Sequence, residues 1–126
     1  MGKIVKKLRL MGDSGELEIE VLLDSGAGAS LVRADVAESI TSMISSRKVP
    51  CVFHGVNGEE ALRSDRICHL VIEMKGKFLD GRFYLVDRMP REMILGVDFM
   101  QMWGIILDLR KEDYTVGVDP QAIEIA

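Results

Sequence analysis

The stretch "VLLDSGAGASLV", residues 21–32, raises the question on which the interpretation of this chain depends. An apolar run ends in an acid, Asp24, and small residues follow it as far as Ser30. A strand that stops at a carboxylate in a glycine turn has a simple explanation, because aspartate often accepts hydrogen bonds from its own turn. Two further explanations are chemical, namely a phosphate-binding loop and a catalytic acid. The rest of the chain distinguishes these three alternatives.

The glycines of this stretch do not form a known phosphate-binding pattern. A dinucleotide fingerprint needs G-x-G-x-x-G between a strand and a helix. Gly26 and Gly28 begin such a pattern, but Leu31 stands at the third glycine position. No acid lies about twenty residues past the turn, where it would bind a ribose. A P-loop is excluded as well, because the chain has no G-K-[S/T] sequence.

Length, composition and charge limit the class of protein. The chain has 126 residues, of which 48% are hydrophobic and 29% charged, and its net charge is −4. This length predicts one domain over residues 1–126. The negative charge argues against nucleic acid as a partner, since phosphate binding needs a basic face. Without an apolar run of about 18 residues or a signal peptide, we expect no membrane partner and an intracellular location.

Hydrophobic periodicity predicts a chain of short strands. Strict alternation marks residues 3–11 and 16–24, and the second of these becomes continuously apolar, as a strand does on entering a core. Asn57-Gly58 lies between two strand-like runs and is a strong hairpin signal. The other predicted strands are 29–32, 49–55, 60–65, 67–76, 77–87, 93–96, 104–109 and 114–118, and the predicted helices are 33–44 and 99–103. This pattern is typical of an all-β, closed or sandwich-like sheet.

The cysteines and histidines do not predict a metal site. Cys51 and His54, taken with Cys68 and His69, have no standard zinc spacing. We therefore expect no metal and no cofactor. A disulfide between the two cysteines remains open, although two thiols in a reducing compartment are the favoured interpretation.

The third explanation, a catalytic acid, fits the surroundings of Asp24. Peptide hydrolysis without a metal can use two carboxylates that share one proton and activate a water. Such an acid must lie at the floor of a cleft, where the apolar run 21–23 would deliver it. A tight turn at Gly26 lets backbone N–H groups reach the carboxylate, and the small residues beyond it leave room for a peptide.

Two motifs then carry a family resemblance. Asp24-Ser25-Gly26-Ala27 resembles the D-[T/S]-G-A signature of retropepsins, the aspartic proteases of retroviruses and retrotransposons. Ile94-Leu95-Gly96 is similar to the family's second element, two hydrophobic residues and a glycine. The string "ILGVDFMQMWGIILDLRKEDYTV", residues 94–116, is most similar to proteases of gypsy-type retroelements and their domesticated relatives. The resemblance spans about residues 3–118, which it implies are the core of a single protease domain, with residues 119–126 as a C-terminal tail. It also implies a homodimeric, retropepsin-like closed β-barrel with a flap hairpin and one or two short helices.

The resemblance also implies a function. Such domains supply one aspartate each, so Asp24 would pair with its twin in a homodimeric aspartic endopeptidase that cleaves peptide bonds by water attack. Processing of a polyprotein is the implied role. The alternative is the same fold kept as a dimerisation or peptide-binding module with weak or no catalysis.

The family's site residues transfer to named positions here. Ser25 would interlock with the partner's loop, while Leu95 and Gly96 would support the catalytic loop. The substrate-binding positions implied by the resemblance are Gly26, Ala27, Gly28, the flap residues Val56, Asn57 and Gly58, and Met93 and Ile94. Of these, Ala27, Met93 and Ile94 would line subsites, so we expect apolar side chains beside the cleaved bond.

One departure from the family concerns support for the dimer. Many viral members have an acid just after the glycine-alanine pair and an arginine just after the second-motif glycine. Here those places hold Gly28 and Val97, and Asp98 follows one position later. Because both halves of that ion pair are missing, support for the dimer must come from elsewhere.

Overall fold

The computed structural model describes residues 2–55 and 62–122. The strands are β1 (Lys3–Met11), β2 (Glu16–Asp24), β3 (Leu31–Arg33), β4 (Ile44–Phe53), β5 (Leu62–Met74), β6 (Lys77–Val86), β7 (Met93–Leu95), β8 (Ile105–Asp108) and β9 (Asp113–Val116). The helices are α1 (Ala34–Ile40) and α2 (Val97–Trp103), and a short 3₁₀ turn spans Pro120–Ala122. None of the helices in these ranges has the length and apolar character needed to cross a membrane.

Six of the strands close into a barrel. Their order is β1-β2-β7-β3-β6-β5, and β1 also pairs with β5 through Leu10 opposite Ile72. β4 extends the sheet outward from β5, and β8 and β9 form a separate two-stranded sheet. The prediction of an all-β closed barrel with two short helices is confirmed.

The barrel interior is filled by the inward faces of these strands. The alternation in β1 and β2 turns residues such as Leu10 and Leu23 inward, and neither is exposed. Helix α2 covers one side of the barrel, where the ring of Phe99 lies 6.0 Å from that of Phe83. Each buried side chain of this size contributes about 1.5–3 kcal/mol by leaving water. The core therefore holds β2 and α2, the two elements that flank the first and second motifs, in one packed unit.

Helix α1 is shorter than its periodicity predicts. The helix predicted over 33–44 ends at Ile40, and Thr41 is already extended, with φ −141°. The reason is Asp13 in the β1–β2 turn, which accepts hydrogen bonds from the hydroxyls of Thr41 and Ser42 at 2.5 and 2.7 Å. These bonds draw the chain away from helical geometry. Met43, predicted as part of the apolar helix face, is exposed instead.

The predicted hairpin around Asn57-Gly58 lies partly outside the described residues. The two strands that flank it do pair antiparallel, up to Phe53 opposite Leu62. Val56, Asn57 and Gly58 themselves fall in the range 56–61, outside the description.

Candidate active site

Asp24 is the last residue of β2, in the middle of the sheet. β2 pairs with β1 on one side and runs parallel to β7 on the other, where Leu23 is opposite Leu95. The Leu23 side chain is fully buried, whereas the Asp24 side chain, next along the strand, keeps 14% of its surface exposed. The buried strand β2 thus ends at a carboxylate that is partly exposed to solvent.

The turn after Asp24 orients its carboxylate. Oδ1 accepts a hydrogen bond from the N–H of Gly26 at 2.9 Å, and the backbone carbonyl of Asp24 accepts one from Ala27 at 3.1 Å. Lys3, directly opposite Asp24 in the β1–β2 register, places its Nζ 3.9 Å from Oδ2. One carboxylate oxygen is therefore fixed by the backbone, and the other faces an ammonium group.

Ser25 is bonded to the segment that precedes β1. Its N–H donates to the carbonyl of Gly2 at 3.0 Å, and its hydroxyl accepts from the Gly2 N–H at 3.1 Å. The hydroxyl also lies 3.3 Å from the Gly2 carbonyl, to which it donates. These bonds hold the start of the loop after Asp24 to the N-terminal segment of the same chain. The expected contact of Ser25 with a partner's loop stays a prediction.

The second motif packs directly against this loop. The N–H of Val97 donates to the carbonyl of Ala27 at 2.7 Å. A β-carbon on Gly96 would lie 2.5 Å from the carbonyl oxygen of Ala29, so only glycine permits this approach. Leu95 is fully buried in the core beneath. Gly96 therefore lies against the loop and Leu95 lies in the core, and their role in supporting catalysis stays a prediction.

A second connection between loop and helix joins Ser30 to Asp98, and we call it the Ser30–Asp98 clasp. Ser30 is fully buried, and its hydroxyl donates to Oδ1 of Asp98 at 2.7 Å while accepting the N–H of Gly96 at 2.9 Å. The N–H of Ser30 also donates to Oδ2 of Asp98 at 3.2 Å. Motif matching did not single out Ser30. The sequence signal for this contact is a hydroxyl residue, Ser30, between apolar residues shortly after the first motif, together with an acid, Asp98, shortly after the second.

An apolar cleft of about 480 Å³ lies beside the loop. Its lining comes from the small residues that follow Asp24 and from the strands at the base of the predicted flap: Gly26, Ala27, Gly28, Ala29, Leu31, Val52, Phe53, His54, Gly55 and Leu62. This volume is within the usual range of ligand sites, and small apolar linings of this kind accept apolar groups. Gly26, Ala27 and Gly28 thus line a cleft, and their contact with a substrate stays a prediction.

The two subsite residues predicted from the second motif behave differently. Met93 is fully buried in the main core, so the prediction that it lines a subsite is wrong for this structure. The physical reason is strand alternation, since Met93 and Leu95 share the inward face of β7 and Ile94 points the other way. Ile94 packs against the buried cluster of Leu31, Val86 and Met89, of which Leu31 lines the cleft. Ile94 itself is not among the cleft-lining residues, so its role in a subsite stays a prediction.

Neither cysteine is in a disulfide. Cys51 and Cys68 are free, and burial raises the pKa of the Cys68 thiol to about 12. A thiol with so high a pKa is unreactive at neutral pH.

Comparison with known proteins places this arrangement in a family. Residues 13–102, which include both motifs, match the family model described as gag-polyprotein putative aspartyl protease. The chain belongs to this family. This member of the family is similar to two human proteins, Protein DDI1 homolog 2 and Protein DDI1 homolog 1, with 24% and 26% identity over 100 residues. That alignment covers 79% of this chain and 25% of each relative, so the chain spans about a quarter of their length.

Solved structures show the same fold. The retroviral protease-like domain of Ddi1 from Leishmania major superimposes with a TM-score of 0.68 at 17% identity, covering 92% of this chain and 89% of that one. The EIAV protease, solved with the inhibitor HBY-793, gives 0.63 at 22% identity, covering 86% and 94%. The chain is thus a retropepsin-like aspartic protease domain by family and by fold.

Proposed function

We propose that this chain is one half of a homodimeric aspartic endopeptidase whose catalytic dyad is Asp24 and its counterpart in a second copy. The observation that carries the proposal is that Asp24, whose carboxylate is held by the Gly26 N–H, directly precedes the residues that line an apolar cleft. The turn that follows Asp24 is also bonded to the segment after the second motif, through the Val97 N–H and the carbonyl of Ala27. The similar string Asp13-Ser14-Gly15 does not supply a second catalytic acid. It lies in the β1–β2 turn, and its carboxylate is bonded to Thr41 and Ser42.

The chemistry follows from two aspartates at a two-fold axis. Two carboxylates that close share one proton, because ionising both is costly. The ionised member takes a proton from a water between them as that water attacks the peptide carbonyl. The protonated member gives its proton to the carbonyl oxygen, and the tetrahedral intermediate then collapses with protonation of the leaving amine. The Gly26 N–H, 2.9 Å from Oδ1, holds one carboxylate oxygen in place during these transfers.

An exposed apolar surface beside Ser25 supports the proposal that a second copy of the chain binds there. A groove of about 490 Å³ is bordered by Gly2, Ser25, one side of α2 and β8. Ile106 and Leu109, on and just after β8, keep 69% and 52% of their surface exposed. We call Ile106, Leu109 and the groove beside them the β8 face. Since the proposed site is incomplete in one chain, a second copy is the occupant that this apolar face best fits.

The cleft lining supports a preference for apolar side chains beside the cleaved bond. Among its described residues the only titratable side chain is that of His54, and most of the rest are small or aliphatic. The natural substrate class that we propose, a polyprotein, rests on the family resemblance rather than on the cleft.

The test is cleavage of a peptide library by the purified chain, with Asp24→Asn as the matched control and light scattering for mass. The proposal expects a dimer whose cleavage is blocked by a pepstatin-type inhibitor and lost in Asp24→Asn. Equal cleavage by wild type and variant would assign the activity to a contaminant. A dimer that binds peptide without cutting it would favour the module alternative.

A further inference from the structure

The catalytic loop is joined to the second motif at two described points, near its middle and at its end. The first is the bond from Val97 to the carbonyl of Ala27, and the second is the Ser30–Asp98 clasp. In the clasp the Ser30 hydroxyl donates its single proton to Asp98 and accepts the N–H of Gly96, so it bridges the acid and the glycine. Asp98 Oδ1 also accepts the N–H of Phe99 at 2.7 Å. Bonds linked in this way strengthen one another in a buried site.

The clasp is placed to control where Asp24 points. Ser30 is fully buried, whereas Ser25 and Gly26 at the other end of the loop are exposed. The clasp is therefore the buried anchor of a loop whose start carries the carboxylate. A displacement of about 1 Å at a reacting group can cost about 100-fold in rate.

We propose that Ser30 and Asp98 are positioning residues for Asp24, and that their clasp fixes the end of the loop that begins at this carboxylate. This inference rests on the proposed function, because it assigns a role in the same site. Neither Ser30 nor Asp98 is among the residues that line the cleft, so their effect passes through the loop.

The variants that test the clasp are Ser30→Ala, Asp98→Ala and the double variant. Each single change is expected to lower kcat by about 10- to 100-fold, with KM within about threefold of wild type. Because both residues act through one contact, the double variant should be about as slow as either single variant. Ser30→Thr, which keeps the hydroxyl, should recover most of the lost rate.

Thr41→Ala is the matched control. Thr41 is also a buried hydroxyl that donates to an aspartate, Asp13, but this contact lies at the β1–β2 turn, at the opposite end of β2 from Asp24. Thr41→Ala is expected to reduce stability as Ser30→Ala does, while kcat per folded dimer stays at the wild-type value. An equal fall in kcat in Ser30→Ala and Thr41→Ala would mean that the clasp only stabilises the fold, and this would overturn the inference.

A readout independent of catalysis separates this inference from the proposed function. Amide hydrogen exchange at Gly26 and Ala27 reports the turn that holds Asp24, since both N–H groups bond to that residue. Ser30→Ala should speed exchange there by about tenfold more than Thr41→Ala does. Loss of Asp24-dependent cleavage in wild type would refute the proposed function alone. Unchanged exchange in Ser30→Ala, or additive effects of the two single variants, would refute the clasp.

Discussion

Gly96 and Ala27 approach so closely that a β-carbon on Gly96 would lie 2.7 Å from the carbonyl oxygen of Ala27. The obstructing atoms are backbone, which cannot rotate away as a side chain can. We therefore expect Gly96→Ala to lower the free energy of unfolding by about 1–3 kcal/mol, the usual cost of overpacking. Urea unfolding checks this. Gly15→Ala is the control, because its β-carbon would have no neighbour nearer than 3.8 Å; equal losses in both variants would contradict the prediction.

The β8 face gives a prediction about assembly. Ile106→Asp puts a charge on an exposed apolar position that the proposed dimer would bury. The dissociation constant of the dimer should rise by about tenfold or more, as is usual for a central interface residue. Sedimentation equilibrium measures it. Met43→Asp, at a side chain that is 68% exposed beyond α1, is the control and should leave the constant unchanged.

Asp13 gives a prediction about pH. Hydrogen bonds from the side chains of Thr41 and then Ser42 lower its pKa from 3.8 to about 2. A folded-state pKa below the unfolded value contributes stability that is present above pH 3.8 and is lost as the pH falls through about 2. Asp13→Asn should therefore flatten the pH dependence of the unfolding free energy between about pH 4 and 2. An unchanged slope in urea titrations across this window would contradict the assignment.

The β8–β9 hairpin is tied to the barrel by charge. Asp113 Oδ1 lies 2.8 Å from Lys75 Nζ and 3.7 Å from Lys6 Nζ, and Lys75 also lies over the ring of Tyr114 at 4.9 Å. The Lys75 ammonium is the main reason that the pKa of Asp113 falls to about 2. Asp113→Asn removes these ion pairs and should therefore speed amide exchange across residues 113–116. The increase should be only about two- to fivefold, because exposed ion pairs are individually weak. High salt should produce the same change in wild type and none in the variant.

Much of the barrel could be predicted because its strands are amphipathic. β1 and β2 were predicted with the bounds that the structure has, since alternation and the turn at 12–15 fix both ends. Helix α1 could not be delimited in this way. Its periodicity continues past Ile40, and the chain leaves the helix only because Asp13, distant in sequence, binds Thr41 and Ser42.

In the candidate site, too, the residues that belong to local motifs could be predicted, and those that depend on tertiary contacts could not. Asp24, Gly26 and Gly96 could be placed from local motifs, because each motif is a short continuous segment. Met93 was assigned to the wrong side of β7, since a three-residue strand gives too little alternation to show which face turns inward. The Ser30–Asp98 clasp was not predicted, because it depends on two segments that meet only in the folded barrel.

In the proposed dimer each chain supplies one of two catalytic aspartates. Mixing wild-type chains with Asp24→Asn chains tests this arrangement directly. After equal amounts have exchanged partners at fixed total concentration, only dimers of two wild-type chains should cut. We expect about one quarter of the activity of pure wild type, because random pairing in a two-fold dimer leaves about one quarter of the dimers with two wild-type chains. About one half would mean that each chain acts alone, and would contradict the shared dyad.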